Sequence, residues 1–292
     1  MFQGVLTAIV TPFKDGAVDF QRLGDQVERQ IAGGVDGLVP CGTTGESPTL
    51  SHEEHEQVVA FVVERARKRV PVIAGAGSNN TAEALRLTRH AKAVGADATL
   101  QVVPYYNKPT QEGQYRHFRA IAEAADLPVV LYNIPGRSGT GMTPETVARL
   151  RRDCPNITAI KEATGSLDQA SEIAGLCDIT ILSGDDSLTL PLAAVGGKGV
   201  ISVASNLVPT DVKALTSAIL AGDFVKARAA HRKLFALCKV MFIETNPIPV
   251  KAAMAMVGAD SGELRLPMCE IRPENRRKLA AALREYGLPV AE

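Results

Sequence analysis

The run Ile157-Thr158-Ala159-Ile160-Lys161-Glu162-Ala163 holds the residue most able to do chemistry in this chain. Residues suited to a buried strand lead straight into a lysine. Lysine is almost never fully buried without a partner, because stripping water from its charge is costly. One reading is a strand end at which Lys161 snorkels into solvent. The other is an amine held in a dry pocket, where burial favours the neutral nucleophile. Hydroxyl groups that would serve such an amine stand in other stretches: Thr43 and Thr44 in Gly42-Thr43-Thr44-Gly45-Glu46, Tyr105 and Tyr106 in Pro104-Tyr105-Tyr106-Asn107, and Tyr132. An amine attacks a ketone to give a Schiff base, and nearby hydroxyls carry the protons that this requires.

These residues converge only if the fold brings them together. Apolar positions Phe20, Leu23, Val27 and Ile31 recur at helical spacing and predict a helix over 19–32, stopped by Gly33-Gly34. Ser51 and Glu54 form a capping box that opens a helix to about residue 67. Continuous apolar runs predict strands over 5–10, 37–41, 70–74, 98–103, 128–132, 157–161, 179–183 and 199–203. Helices are expected over 81–94, 144–152 and 210–221, with another ending near 125. Eight strand–helix units in about 220 residues fit an α/β (β/α)8 TIM barrel better than an open doubly wound sheet. Beyond residue 221 the strand signals stop. Helices over 224–242, 249–257 and 273–286 form a C-terminal helical appendage, packed on the barrel or on a partner subunit. The expected division is a barrel of residues 1–222 carrying the active site and a C-terminal helical domain of residues 223–292.

Barrel enzymes build their sites at the C-terminal ends of the strands. Thr43 and Thr44 follow the second strand, and Tyr105 and Tyr106 follow the fourth. Tyr132 ends the fifth, Lys161 ends the sixth, and Ile201 lies in the eighth. All are predicted to face one mouth.

Composition removes other classes. A formal net charge of zero is not the basic footprint of a nucleic-acid binder. Arg149, Arg151 and Arg152, and Arg276, Arg277 and Lys278, read as solvated helix faces. No apolar run approaches the ~18 residues of a membrane span. The first residues lack a signal peptide's basic and apolar regions, so a cytoplasmic protein is expected. The five cysteines are scattered without a CxxC pair and are expected to be reduced and buried. His52 and His55 are three apart, not four as in HExxH, so no zinc site is signalled. Gly75-Ala76-Gly77-Ser78-Asn79-Asn80 lacks the third glycine of a dinucleotide loop, and Gly196-Gly197-Lys198-Gly199 lacks the Ser or Thr of a P-loop. Asp185-Asp186 reads as a hydrogen-bonding, structural pair.

Taken together, Gly42-Thr43-Thr44-Gly45-Glu46, Pro104-Tyr105-Tyr106-Asn107, Tyr132-Asn133-Ile134-Pro135, Arg137, Ile160-Lys161-Glu162, Ser183-Gly184-Asp185-Asp186 and Gly199-Val200-Ile201-Ser202 carry a resemblance over essentially the whole chain. Asn246-Pro247-Ile248-Pro249-Val250-Lys251 and Leu266-Pro267-Met268 extend it. The chain resembles the dihydrodipicolinate synthase (4-hydroxy-tetrahydrodipicolinate synthase) family of the pyruvate-dependent class I aldolase superfamily. The resemblance implies condensation of pyruvate with L-aspartate 4-semialdehyde, an early step of lysine and diaminopimelate biosynthesis, without metal or organic cofactor. It implies that Lys161 forms the imine and that Tyr132 donates and accepts protons. Thr43 and Tyr106 complete a relay, with Tyr106 reaching into a neighbouring subunit of a tight dimer. Thr44 and the strand at Ile201 hold pyruvate, and Arg137 binds the carboxylate of the semialdehyde. A homotetramer made of two tight dimers is implied as well.

Arg137 and the pair Thr43-Thr44 distinguish this chain from N-acetylneuraminate lyase and the sugar-acid aldolases. Those relatives generally lack the arginine and often read Gly-Ser-Thr-Gly-Glu after the second strand. In lysine-inhibited members, positions matching Ser47, His52, His55, Asn79, Glu83 and Tyr105 line an allosteric pocket, so L-lysine is an expected feedback inhibitor. Pro48 departs from the alanine common there, and polar residues at a helix start would read the same way without an effector. A non-catalytic barrel that binds a keto acid is the remaining alternative, because fold alone does not imply function.

Overall fold

Eight parallel strands pair edge to edge in the computed structural model, which describes residues 2–290. They are β1 (Gly4–Ala8), β2 (Gly37–Val39), β3 (Ile73–Gly75), β4 (Ala98–Val102), β5 (Val129–Asn133), β6 (Ile157–Glu162), β7 (Thr180–Ser183) and β8 (Gly199–Ser202). Their order is β2-β1-β8-β7-β6-β5-β4-β3, and a bridge between Leu38 and Val72 joins the two remaining edges. The expected TIM barrel is therefore present. Every residue of β1 and of β5 is buried, as strands covered on both faces require.

The covering helices are α1 (Phe20–Ala32), α2 (His52–Ala66), α3 (Thr81–Ala93), α4 (Gln111–Ala124), α5 (Pro144–Asp153), α6 (Leu167–Leu176), α7 (Thr189–Ala194) and α8 (Pro209–Leu220). Leu23 and Val27 on α1 are wholly buried, worth about 1.5–3 kcal/mol each. Asp19 caps α1 through the Arg22 amide, and both halves of the Ser51–Glu54 capping box on α2 are formed. Three further helices follow: α9 (Phe224–Val240), α10 (Ile248–Met256) and α11 (Pro273–Tyr286). Leu234, Leu237, Met254, Leu279 and Leu283 share one apolar cluster with Val5, Leu23 and Val200. The appendage thus packs on its own barrel.

Several element ends differ from expectation for local reasons. The strand expected over 37–41 stops at Val39, since Pro40 has no N–H and Cys41 has a left-handed φ of 54°. The strand expected over 5–10 stops at Ala8, after which the Val10 amide turns to the Asn206 side chain at 3.2 Å. A hairpin of Phe13–Lys14 with Ala17–Val18, and a single helical turn Pro135–Ser138, are too short to leave a periodic signal. All five cysteines are free, but Cys177 is only half-buried and Cys269 is exposed, contrary to the expectation that all are buried. No described helix is long and apolar enough to cross a membrane.

Candidate active site

The site is assembled from strand ends. Tyr132 in β5 and Lys161 in β6 are register partners, and so are Lys161 and Leu182 in β7. Lys161 does not snorkel outward: it is 6% exposed, with Nζ 4.2 Å from the centroid of the buried Tyr132 ring. Ile201 is fully buried in β8, beside Leu6 of β1, and belongs with Tyr132 and Leu182 to the apolar cluster inside the barrel.

Two acidic residues, Asp185 and Asp186, lie near the amine without forming an ion pair with it. The Asp185 and Asp186 carboxyls are pushed up by burial, against an opposing pull from the Lys161 charge. Asp186 accepts from the Ser202 hydroxyl, the Val203 amide at 2.9 Å and the Ala204 amide at 3.1 Å. It therefore fastens the backbone that follows Ile201, the structural role expected of the Asp pair and met here by Asp186. Glu162 is raised by burial and is partly compensated by the Thr164 amide at 2.8 Å.

A cavity of about 510 Å³ opens beside this cluster. Thr43, Tyr132 and Arg137 line it, together with Ser47, His52, His55, Glu83 and Tyr105. Three expected reaction residues and five expected effector residues therefore share one continuous space, whereas Lys161, Thr44, Ile201 and Asn79 do not line it. Thr44 is buried behind it, and its hydroxyl accepts from the Asn246 side-chain amide at 3.0 Å. Arg137 donates to the Asn246 carbonyl at 3.1 Å. Asn246 thus ties Thr44 to Arg137, a link that the sequence reading missed. Only the Asn-Pro step before α10 pointed to it, and the contact spans 202 residues of chain.

Within the effector cluster, His52 meets Glu83 at 3.2 Å, and Glu83 also accepts from the Ser78 hydroxyl. The Asn79 side chain donates to the Tyr105 carbonyl at 3.2 Å. His55 is buried and is pushed down to about 4 by desolvation, partly opposed by a backbone hydrogen bond at Gly75. Among the described residues no group of three or more His, Cys, Asp or Glu is arranged to hold a metal.

Another expected residue stands apart from the cavity. Tyr106 is 89% exposed on a left-handed backbone with φ of 69°, held by its amide to the Ser138 carbonyl at 3.3 Å. It lies outside the cavity wall of its own chain, so the expectation that every hydroxyl faces one mouth is corrected at this position. A large aromatic held outward in a strained conformation persists only when its surroundings fix it.

Comparison with known proteins fits this geometry. Residues 1–286 match the model of the dihydrodipicolinate synthetase family. The 4-hydroxy-tetrahydrodipicolinate synthase of Geotalea uraniireducens is 56% identical over 290 residues, covering 99% of this chain and all of that one. The dihydrodipicolinate synthase structure from Aquifex aeolicus superposes with a TM-score of 0.98 at 52% identity, covering 100% of both chains. Two further synthase structures have a TM-score of 0.96. That of Acinetobacter baumannii, complexed with pyruvate, is 44% identical and covers 99% of this chain and 100% of its own. That of Cyanidioschyzon merolae, with lysine bound, is 42% identical and covers 98% of this chain and 99% of its own. With a barrel, a buried strand-end lysine and a full-length family match, the chain is an enzyme, a lyase, and belongs to the dihydrodipicolinate synthetase family.

Proposed function

We propose that this enzyme condenses pyruvate with L-aspartate 4-semialdehyde to give 4-hydroxy-tetrahydrodipicolinate. The observation that carries the reading is Lys161: a nearly fully buried amine at the end of β6, held over the ring of Tyr132. The amine adds to the ketone of pyruvate, and the carbinolamine loses water to leave an iminium. The iminium draws electrons from the methyl group, which gives up a proton to form an enamine. The enamine carbon bonds to the aldehyde carbon, and the aldehyde oxygen takes up a proton. The amine of the second substrate then displaces Lys161 as the ring closes.

Tyr132 moves protons at the Schiff base, with Thr43 and a Tyr106 contributed by a neighbouring subunit completing the relay. Thr44 and the backbone at Ile201 hold pyruvate. Arg137 receives the carboxylate of the semialdehyde, a charge-assisted contact for which its planar fork is suited. Residues 1–222 carry the reacting groups, residues 223–292 brace them, and two tight dimers form a homotetramer. The outward Tyr106 supports the dimer, and the pyruvate complex of a 44% identical relative supports the first substrate.

Borohydride reduction in the presence of pyruvate tests the core of this reading. A stable adduct of pyruvate mass on Lys161, lost in Lys161→Ala, is expected; no adduct would leave a keto-acid-binding barrel. Turnover with aspartate semialdehyde but not N-acetylneuraminate separates synthase from lyase.

L-Lysine is proposed as a feedback inhibitor at Ser47, His52, His55, Asn79, Glu83 and Tyr105. Five of these line the cavity, and a 42% identical relative has been solved with lysine bound. Glu83 would receive the effector's α-ammonium, and Asn79 and Tyr105 its carboxylate. Calorimetric binding with inhibition by millimolar lysine is expected, and the absence of both would remove this assignment.

A further inference from the structure

The C-terminal appendage sends a charged group into the motif that carries Thr43 and Thr44. Lys251 on α10 is fully buried, and its Nζ lies 2.7 Å from Oε1 of Glu46, which is itself 2% exposed. The same ammonium donates to the Thr11 carbonyl at 2.9 Å and stands 4.2 Å from the centroid of the Phe13 ring. The second oxygen of Glu46 accepts from the Arg265 amide at 3.3 Å. Burial pushes the Lys251 ammonium below its ordinary range, and the Glu46 carboxylate opposes that shift.

Such a pair is a poor way to gain stability, since apolar residues of similar volume often do as well. Its placement points to another use. The loop between Cys41 and Glu46 begins and ends on non-glycine residues with left-handed φ, 54° and 52°. Conformations of this kind persist only where the surroundings over-determine them. Four tethers do so. Lys251 and the Arg265 amide hold the Glu46 side chain, the Thr11 hydroxyl donates to the Gly45 carbonyl at 2.7 Å, and Asn246 donates to Thr44. Gly45 leaves no slack, since a Cβ there would meet the Cys41 nitrogen and the Ile9 carbonyl oxygen, each at 3.1 Å.

We propose that Glu46 and Lys251 are positioning residues for the first substrate: they lock the Gly42–Glu46 backbone so that Thr43 and Thr44 face the reacting lysine. The proposal rests on the assignment of Thr43 and Thr44 given above. Neither residue touches the reacting atoms. Releasing the loop weakens capture of pyruvate through Thr44 and slows turnover through Thr43, while Arg137 keeps its own contact with the Asn246 backbone carbonyl.

The test is steady-state kinetics on the full-length double variant Glu46→Gln/Lys251→Met, which removes both charges and leaves neither buried alone. The KM for pyruvate is expected to rise at least ~10-fold and the rate of borohydride trapping at low pyruvate to fall in parallel. The kcat is expected to fall as well, because Thr43 belongs to the proposed relay, while the KM for the aldehyde stays within about threefold and the circular dichroism spectrum is unchanged. General loosening of the fold would move both KM values, so their separation distinguishes positioning from stability. Thr11→Val, which removes a loop tether without touching a charge, is expected to move the pyruvate KM in the same direction. A pyruvate KM unchanged in the folded double variant overturns the proposal. If the double variant does not fold, an unchanged pyruvate KM in Thr11→Val overturns it. A parent enzyme that forms no pyruvate adduct on Lys161 would instead overturn the underlying functional reading.

Discussion

In the proposed reaction Lys161 and Arg137 divide the chemistry between them, and their substitutions are expected to fail differently. Removing the amine removes the covalent step. Arg137→Ala is expected to raise the KM for the carboxylate-bearing aldehyde roughly 10- to 100-fold, corresponding to about 1.5–3 kcal/mol for a charge-assisted hydrogen bond. Pyruvate trapping on Lys161 should be nearly unaffected, which single-turnover borohydride assays would check. Lys161 was legible in the sequence because a lysine closing an apolar strand breaks a local rule, whereas Arg137 was read only from the family resemblance. Asn246 was not, because an asparagine before a proline is ordinary loop chemistry. Its use appears only when the fold brings its amide to Thr44 and its carbonyl to Arg137.

Helix and strand patterns carried most of the architecture. The capping box at Ser51 and the helical apolar spacing of α1 both lie where the sequence placed them. Strand ends were less legible, since they depend on which backbone groups find a ladder partner, as at Val10 with Asn206. The hairpin at Phe13–Lys14 was illegible because two-residue strands are too short to show a period, though its phenylalanine packs against both Lys251 and Arg265. At this scale Ser51→Ala is expected to cost about 1 kcal/mol by loss of the cap, measurable by urea denaturation. Arg265 also braces this helix start, pairing with Glu54 at 2.6 Å. Arg265→Ala should therefore destabilise α2 further and weaken any effector bound beside His52 and His55, as calorimetry would report.

For the molecule as a whole, buried histidines set an acid limit. Desolvation holds His55 and His117 down to about 4, against an ordinary 6.5. The unfolded chain therefore takes up these protons more readily than the folded one. Their contribution is fully present above about pH 6.5 and is lost as pH falls toward 4, at most about 3 kcal/mol for each. Chemical denaturation at pH 7.5, 5.5 and 4.5 should show this decline, and His117→Gln should flatten part of it. A molecule whose stability was unchanged down to pH 4.5 would not fit. The barrel itself could be read from eight apolar runs. That the appendage shares the barrel's core, and inserts Lys251 beneath the threonine loop, depends on contacts more than 200 residues apart.

The outward Tyr106 has a genetic consequence. Lys161→Ala and Tyr106→Phe chains should each be nearly inactive by themselves. Because Tyr106 is 89% exposed on its own chain, its replacement should leave the fold of that chain intact, within about 0.5 kcal/mol. Co-expressed, the two defective chains are expected to complement one another. In a mixed dimer the Tyr106→Phe chain keeps its own Lys161 and borrows an intact tyrosine from the Lys161→Ala chain. Random pairing would restore about a quarter of the parent activity. If each chain used its own Tyr106, no mixture could recover any.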